Sequence, residues 1–591
     1  MLPAKVKTQS PIPPETHVTR VTEIQILPMR GLPAALLIVC MTVHAAAGEA
    51  FRVVGRSPLD IGEPDAKAAS VTGVQLAAAP DEFETAAFAL CALQPLRNVR
   101  FTLADLKGPG GAVIAKEALA VRRILPAKVK PRKPEGARER SIPEWVLPAD
   151  EAAQPIADNE NATFWITVHV PADAAAGRYA GEVLVEAQDA APAKLALEVS
   201  VRGFRLEPPP VTFAMLFTYE FRFLERYDPL SPKRRPENER EAFLERGKAI
   251  VRDMAEHGMN AIWPHGSMGG PSAVLRKDGK PFLPDLEMSL RTAKACGMNR
   301  TPGWFVGRLV NAQYQDTKNF DAKRDCELLR ELCQRAAEIA RAEGFQQIVV
   351  VPADEPDDPD NRKLPVARQL LQAGQGIDGV RFGVTSGGNR RDSLKRLAEL
   401  HQVSIFAGGT TPEERAEAKK SGHEVWLYEN NTTTGHNPLW SRYVFGYFGW
   451  RGEFDGISAW TYPPHTYAPY DERKRVDADG KAVPEFDRQG RPVNTVVWEA
   501  IREGVDDRRY LETLKAAIAG ARQKGLTEPA AEAQKVLDEI AAGVSVNFSD
   551  YGYVHNEYGE PLPGQRDAAW YAATREKLAA AITKLQAAVN R

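Results

Sequence analysis

Between residues 211 and 505, strand-like and helix-like segments alternate eight times, and that rhythm constrains the fold more than anything else in the sequence. Parallel strands cannot be joined by tight turns, so each requires a crossover, and a helix is the usual one. Strands are expected at 211–219, 259–264, 300–306, 345–353, 380–385, 403–407, 424–428 and 454–460. Helical periodicity covers 238–257, 285–296, 321–343, 364–371, 393–400, a segment capped at Thr411, 439–449 and a closing stretch at 496–505. Eight strand-then-helix units of this length predict a (β/α)8 barrel of the TIM type.

The flanks read differently. Residues 51–206 carry short alternating or aromatic-rich runs separated by Gly, Pro, Asp and Asn, the pattern of an all-β sandwich. The triple proline ending at Pro210 punctuates the change. After the barrel the tail is helical, with further helices expected at 508–522 and 567–589. The chain is therefore multidomain. Residues 1–47 form an N-terminal extension and signal peptide, 48–207 a β-sandwich, 208–506 the catalytic barrel and 507–591 a C-terminal helical region.

The address comes from the start of the chain. Met29-Arg30, an apolar run over 31–43 and small residues at Ala45 and Ala47 make a cleavable secretory signal, too short to span a membrane comfortably. Translation start at Met29, cleavage after Ala47 and a secreted or periplasmic destination are expected. With 76 basic and 78 acidic residues the net charge is -2, which gives no whole-chain attraction to nucleic acid or an anionic membrane. The mature chain keeps Cys91, Cys296, Cys326 and Cys333, without zinc-like spacing or a disulfide framework.

In such barrels chemistry sits where strands end. The fourth strand ends in Asp354-Glu355 and the seventh in Tyr428-Glu429-Asn430, with Tyr219, Trp263, Trp304, Trp460 and Tyr462 at other strand ends. Rings with carboxylates suit a sugar, whose CH faces stack while its hydroxyls and glycosidic oxygen need charged partners. No phosphate-cradling glycine loop accompanies them, and the acidic run from Asp354 to Asp360 lacks the glycine and terminal Glu of a calcium loop. Neither cofactor nor metal is expected; the partner is a glycan or glycoconjugate.

The order of sandwich, barrel, Ala353-Asp-Glu-Pro356 and the late segment from Trp498 to Tyr510, with Arg502-Glu-Gly-x-Asp-Asp507, resembles glycoside hydrolase family 123 and its secreted relatives. The resemblance implies a retaining exo-β-N-acetylgalactosaminidase-like enzyme acting by substrate assistance, the sugar's 2-acetamido group serving as nucleophile. Glu355 would then be the general acid/base and Asp354 would orient the acetamide. Adjacent acids suit this better than a protein nucleophile, because a retaining pair must face each other across about 5 Å. Two alternatives stand beside it. Glu355 can be the acid/base with Glu429 as nucleophile, the layout of the large clan of retaining barrel β-glycosidases, or the chain can be a non-catalytic carbohydrate-binding barrel.

Overall fold

The computed structural model describes residues 50–60, 68–129, 140–217, 237–264, 274–275, 281–312, 314–357, 362–387, 392–408, 410–434, 437–462, 475–551 and 566–590. They belong to one compact unit spanning Glu49–Arg591. The expected signal segment lies outside the described residues, as does Tyr219.

The N-terminal part is two packed sheets. One runs in the order Phe51–Arg56, Phe83–Ala92, Asn161–His169, Leu119–Val129, Arg140–Pro148 and Asn494–Thr495. The other runs Gly73–Ala78, Ala193–Val201, Gly177–Gln188, Leu106–Lys107 and Val113–Ile114, with Arg97–Leu103 also on Gly177–Gln188. Period-two burial builds the shared core: Leu195, Leu197, Val199 and Val201 point in from one sheet to meet Phe88, Leu90 and Phe164 from the other. Phe83–Ala92 breaks the alternation and is buried on both faces from Thr85 onward. Its second face, at Ala87, packs with Trp165 and Val146 against Val496 from the far end of the chain.

Eight parallel strands follow, at Thr212–Phe217, Ala261–Pro264, Gly303–Phe305, Ile348–Val351, Val380–Ser386, Val403–Ala407, Glu424–Tyr428 and Gly456–Tyr462. They are hydrogen-bonded in the spatial order second, first, eighth, seventh, sixth, fifth, fourth, third. The two end strands share no ladder among the described residues. They meet instead through Trp263, whose ring lies so close to Gly303 that a Cβ there would stand 2.1 Å from it. The sheet is thus a nearly closed barrel with helices packed outside. Its interior is filled by side chains including Leu216, Trp263, Phe305, Val351, Ile405, Trp426 and Tyr428.

The helices track the expected periodicity, with several differences, among them an unexpected helix at Thr527–Ala542 and a fifth helix split into Asp392–Arg396 and a 3-10 turn at Ala398–Leu400. Val496–Gln523 is one continuous 28-residue helix where two were expected, so the expected division at 506/507 falls inside it. The seventh helix is interrupted, running Pro438–Tyr443, a π-turn at Val444–Phe448 and Gly449–Arg451. Thr527–Ala542 and Ala568–Val589 then pack on the long helix and share the core between barrel and helices. No described helix is long and apolar enough to cross a membrane.

The segment before the long helix carries two copies of one turn. Asp477 Oδ1 accepts the backbone N–H of Asp479 and Lys481, and ten residues on Asp487 Oδ1 accepts those of Gln489 and Arg491. Gly480 and Gly490 supply the positive φ each turn requires. The turns lie on the sandwich: Trp145 Nε1 donates to the carbonyl of Val476 at 3.0 Å, Gln154 donates to Asp477, and Val483 and Val493 join Leu125, Trp145 and Leu147 in a small core.

Candidate active site

Asp354 and Glu355 leave the end of the fourth strand at the barrel mouth, both half-buried. The fourth and fifth strands pair in register from Ile348↔Val380 to Val350↔Phe382, so continuing the count sets Thr385 opposite Ala353, next to the acids. Thr385, fully buried, contacts both: the Glu355 backbone N–H donates to its Oγ1 at 2.7 Å, and Oγ1 donates to Asp354 Oδ1 at 2.9 Å. Lys363, opening the next helix, donates Nζ to the backbone carbonyls of Asp354 and Glu355 at 3.2 and 3.4 Å. Asp357 is tied down by Ser393, through N–H and Oγ at 2.7 Å each, and by the Gly387 N–H at 3.4 Å. Gly387 also leaves room for the Glu355 carboxyl, since a Cβ there would sit 3.0 Å from Oε2.

The backbone of Glu355 has φ +43°, a left-handed conformation unusual for a side-chain-bearing residue and typical of functional sites. No described residue donates a hydrogen bond to its carboxyl. Burial, then the neighbouring Asp354, push its pKa up to about 7, with Asp357 adding to the rise and Lys363 opposing it. Asp354 is also raised by burial, against the Thr385 hydrogen bond and Lys363. An acid that holds its proton near neutrality beside an oriented carboxylate can protonate a leaving oxygen.

The other expected site residues separate into two groups. Tyr428, Trp460 and Trp263 do face the barrel interior. Tyr428 is buried, Trp460 is half-buried at the rim with its backbone N–H donated to Asn430 Oδ1 at 3.0 Å, and Trp263 is fully buried against Trp426, ring centroids 4.6 Å apart. Trp263 is therefore floor packing below the mouth. Glu429 ends the seventh strand at 1% exposure, its backbone N–H donated to the Ser458 carbonyl. Trp304 and Tyr462 are corrected. Trp304 is buried in the core outside the barrel because Phe305, its neighbour, takes the inward position. Tyr462 points outward because the eighth strand slips by one residue against the first, which pairs Leu216 with Trp460 but Phe217 with Tyr462. Its hydroxyl donates to Asp253 at 2.6 Å in the helical layer. Among the described residues no group of three His, Cys, Asp or Glu side chains is placed to hold a metal ion.

Residues 65–187, within the two-sheet domain, match the model of the glycoside hydrolase 123 N-terminal domain. A family 123 glycoside hydrolase from Clostridium perfringens, whose structure details glycolipid glycan hydrolysis, superposes with TM-score 0.65 at 11% identity over 90% of this chain and 98% of that one. This chain resembles glycoside hydrolase family 123. The fold match and the domain match together support glycoside hydrolase activity. Two other solved structures superpose with TM-scores below 0.3. They are a Vibrio harveyi GH20 exo-β-N-acetylglucosaminidase (TM-score 0.27, 9% identity, 79% of this chain, 99% of that one) and a Bacteroides ovatus GH5 xyloglucanase (0.28, 8%, 77% and 100%). No curated protein matches the chain.

In this family 123-like chain the Arg502-Glu-Gly-x-Asp-Asp507 segment is structural. Asp507 accepts from Arg442 at 2.6 Å and from Arg575 at 2.8 Å, and Arg575 reaches on to Glu503 and to Glu84 of the sandwich. Arg502 donates to Glu499 at 2.6 Å. Gly504 lets the seventh helix approach: a Cβ there would stand 2.5 Å from the Arg442 carbonyl oxygen. Sequence reasoning missed Thr385, Lys363, Ser393 and Gly387. The signal for Thr385 was its place at the end of the strand beside the acidic one; the others carried none.

Proposed function

We propose that the chain is a secreted, retaining exo-β-N-acetylgalactosaminidase-like hydrolase using substrate assistance. The observation that carries this reading is the acid pair itself: adjacent, half-buried at the barrel mouth, with Glu355 held up to about 7 and no donor to its carboxyl among the described residues. In the first step the acetamide carbonyl oxygen bonds to C1 as Glu355 gives its proton to the departing glycosidic oxygen. Asp354 accepts the amide N–H and offsets the positive charge of the forming oxazolinium ring. In the second step Glu355 takes a proton from water as that water bonds to C1 and the ring reopens, so the configuration is retained. The rings of Tyr428 and Trp460 offer a surface for the sugar. The near-complete burial of Glu429 weighs against its reaching an anomeric carbon. The glycolipid glycan chemistry of the Clostridium relative supports a glycoconjugate as substrate, and the apolar run at 31–43 supports export.

The test is a panel of chromogenic 2-acetamido and 2-hydroxy β-glycosides. We expect hydrolysis of the 2-acetamido members, inhibition by a thiazoline analogue of the oxazoline, and loss of about a hundredfold or more in kcat for Asp354→Asn and Glu355→Gln. Because Glu355 must be protonated to act as the acid, kcat/KM is expected to fall as pH rises past about 7. Preference for 2-hydroxy sugars, with Glu429→Gln more damaging than Asp354→Asn, would overturn the reading in favour of a Glu429 nucleophile.

A further inference from the structure

Two neighbouring acids, one of which must donate a proton while the other stays charged, pose a problem of assignment: chemically similar groups have no intrinsic reason to put the proton on the residue that must donate it. The surroundings must break the symmetry. Lys363 does not, because its Nζ reaches the backbone carbonyls of both acids at similar distances. Asp357 lies near Glu355, with Asp392 behind it, and disfavours charge there. Thr385 adds a direct hydrogen bond to one acid only: it donates to the Asp354 carboxyl and not to that of Glu355. A hydroxyl has a single proton. Its oxygen is already accepting the Glu355 backbone N–H at 2.7 Å, so at 2.9 Å from Asp354 Oδ1 the hydroxyl proton is directed to that oxygen. Asp354 Oδ1 is thereby an acceptor and carries no proton of its own. Oδ2 has no partner among the described residues and is left for a substrate.

We propose that Thr385 is a positioning residue that decides which member of the acid pair carries the proton, holding Asp354 as the carboxylate and leaving Glu355 as the acid. This rests on the reading of Asp354 and Glu355 given above. Thr385 is fully buried and acts only through the pair. The bond to Oδ1 also fixes the Asp354 side chain, so the same hydroxyl sets the orientation of Oδ2.

The experiment compares Thr385→Val, which keeps the shape and removes the hydroxyl, with Thr385→Ser, which restores it. Activity on a chromogenic 2-acetamido glycoside is followed against pH. A hydrogen bond to a charged group corresponds to about a ten- to hundredfold effect, and Thr385→Val is expected to lose that much kcat with KM changed far less. Without the donor, Asp354 holds a proton more tightly, so the acid limb of the profile should move up by about one pH unit. Thr385→Ser should restore both the rate and the limb. A Thr385→Val enzyme with the native acid limb, or a Thr385→Ser enzyme as impaired as the Val form, would overturn the proposal, since lost packing alone would give either. Should Thr385→Val not fold, Thr385→Cys, a weak donor of similar size, is expected to show the same shift at smaller amplitude. The reading beneath is judged separately: if Asp354→Asn and Glu355→Gln both keep native rates, the pair is not the catalytic centre, whatever Thr385 does.

Discussion

At the scale of single residues, the site is built against local stability. Glu355 sits at φ +43° with its carboxyl partly withdrawn from water. Left-handed backbone destabilises a residue with a Cβ by about 1–2 kcal/mol, while glycine's extra freedom in the unfolded chain recovers roughly 0.5–1 kcal/mol of that. Glu355→Gly is therefore expected to be inactive yet more stable than the native chain by roughly 0.5–1 kcal/mol at pH 5. The pH dependence has a definite sign. The folded chain binds the Glu355 proton more tightly than the unfolded chain does, so native stability falls as pH rises from the ordinary carboxylate range through about 7. The gain from Glu355→Gly should accordingly be larger at pH 8 than at pH 5, as chemical denaturation at the two pH values will measure. The acids themselves were legible because they terminate an apolar run. Thr385 was not, because only strand register places it beside them, and Tyr462 was misplaced because alternation does not foresee a one-residue slip.

At the scale of elements, the long helix Val496–Gln523 is a clamp. Its acids Glu503 and Asp507 hold Arg442 of the seventh helix and Arg575 of the last helix, which in turn holds Glu84 of the sandwich. Glu84 is nonetheless raised to about 8 by burial and by the charges of Glu503 and Glu82, against the pull of Arg575. Removing one member of such a cluster leaves buried charge uncompensated, which destabilises by about 3–5 kcal/mol, and Arg575→Ala is expected to lose that much in a urea titration. The segment was visible in the sequence and it carried the family likeness. Its work could not be read there, because the partners of Asp507 lie on two other helices, and one of them, Arg575, reaches on to a sheet. The division expected at 506/507 set a closing barrel helix apart from an appended helical region; in the fold one helix, Val496–Gln523, serves as both.

At the scale of the molecule, the sandwich and the barrel are continuous. The sandwich takes its sixth strand from Asn494–Thr495, shares Val496 with the helix that follows, and is joined by the Arg575 cluster. Calorimetry of residues 48–591 is expected to show one cooperative transition, with the calorimetric and van't Hoff enthalpies agreeing. Two resolved transitions would mean that the domains unfold independently. The eightfold alternation and the strand-rich first third were plain in the sequence because both rest on local periodicity. Their fusion was not, because it depends on two short Asp-and-Gly turns whose only local sign is a tight bend. Those turns also bear on the order in which the protein can be made. While a ribosome adds roughly 5–20 residues per second, the edge of Arg140–Pro148 and the apolar side chains of Leu125, Trp145 and Leu147 wait for Val483, Val493 and the strand after them. The first domain to emerge is thus among the last to be finished, and the nascent chain carries an open, sticky sheet edge through most of its synthesis.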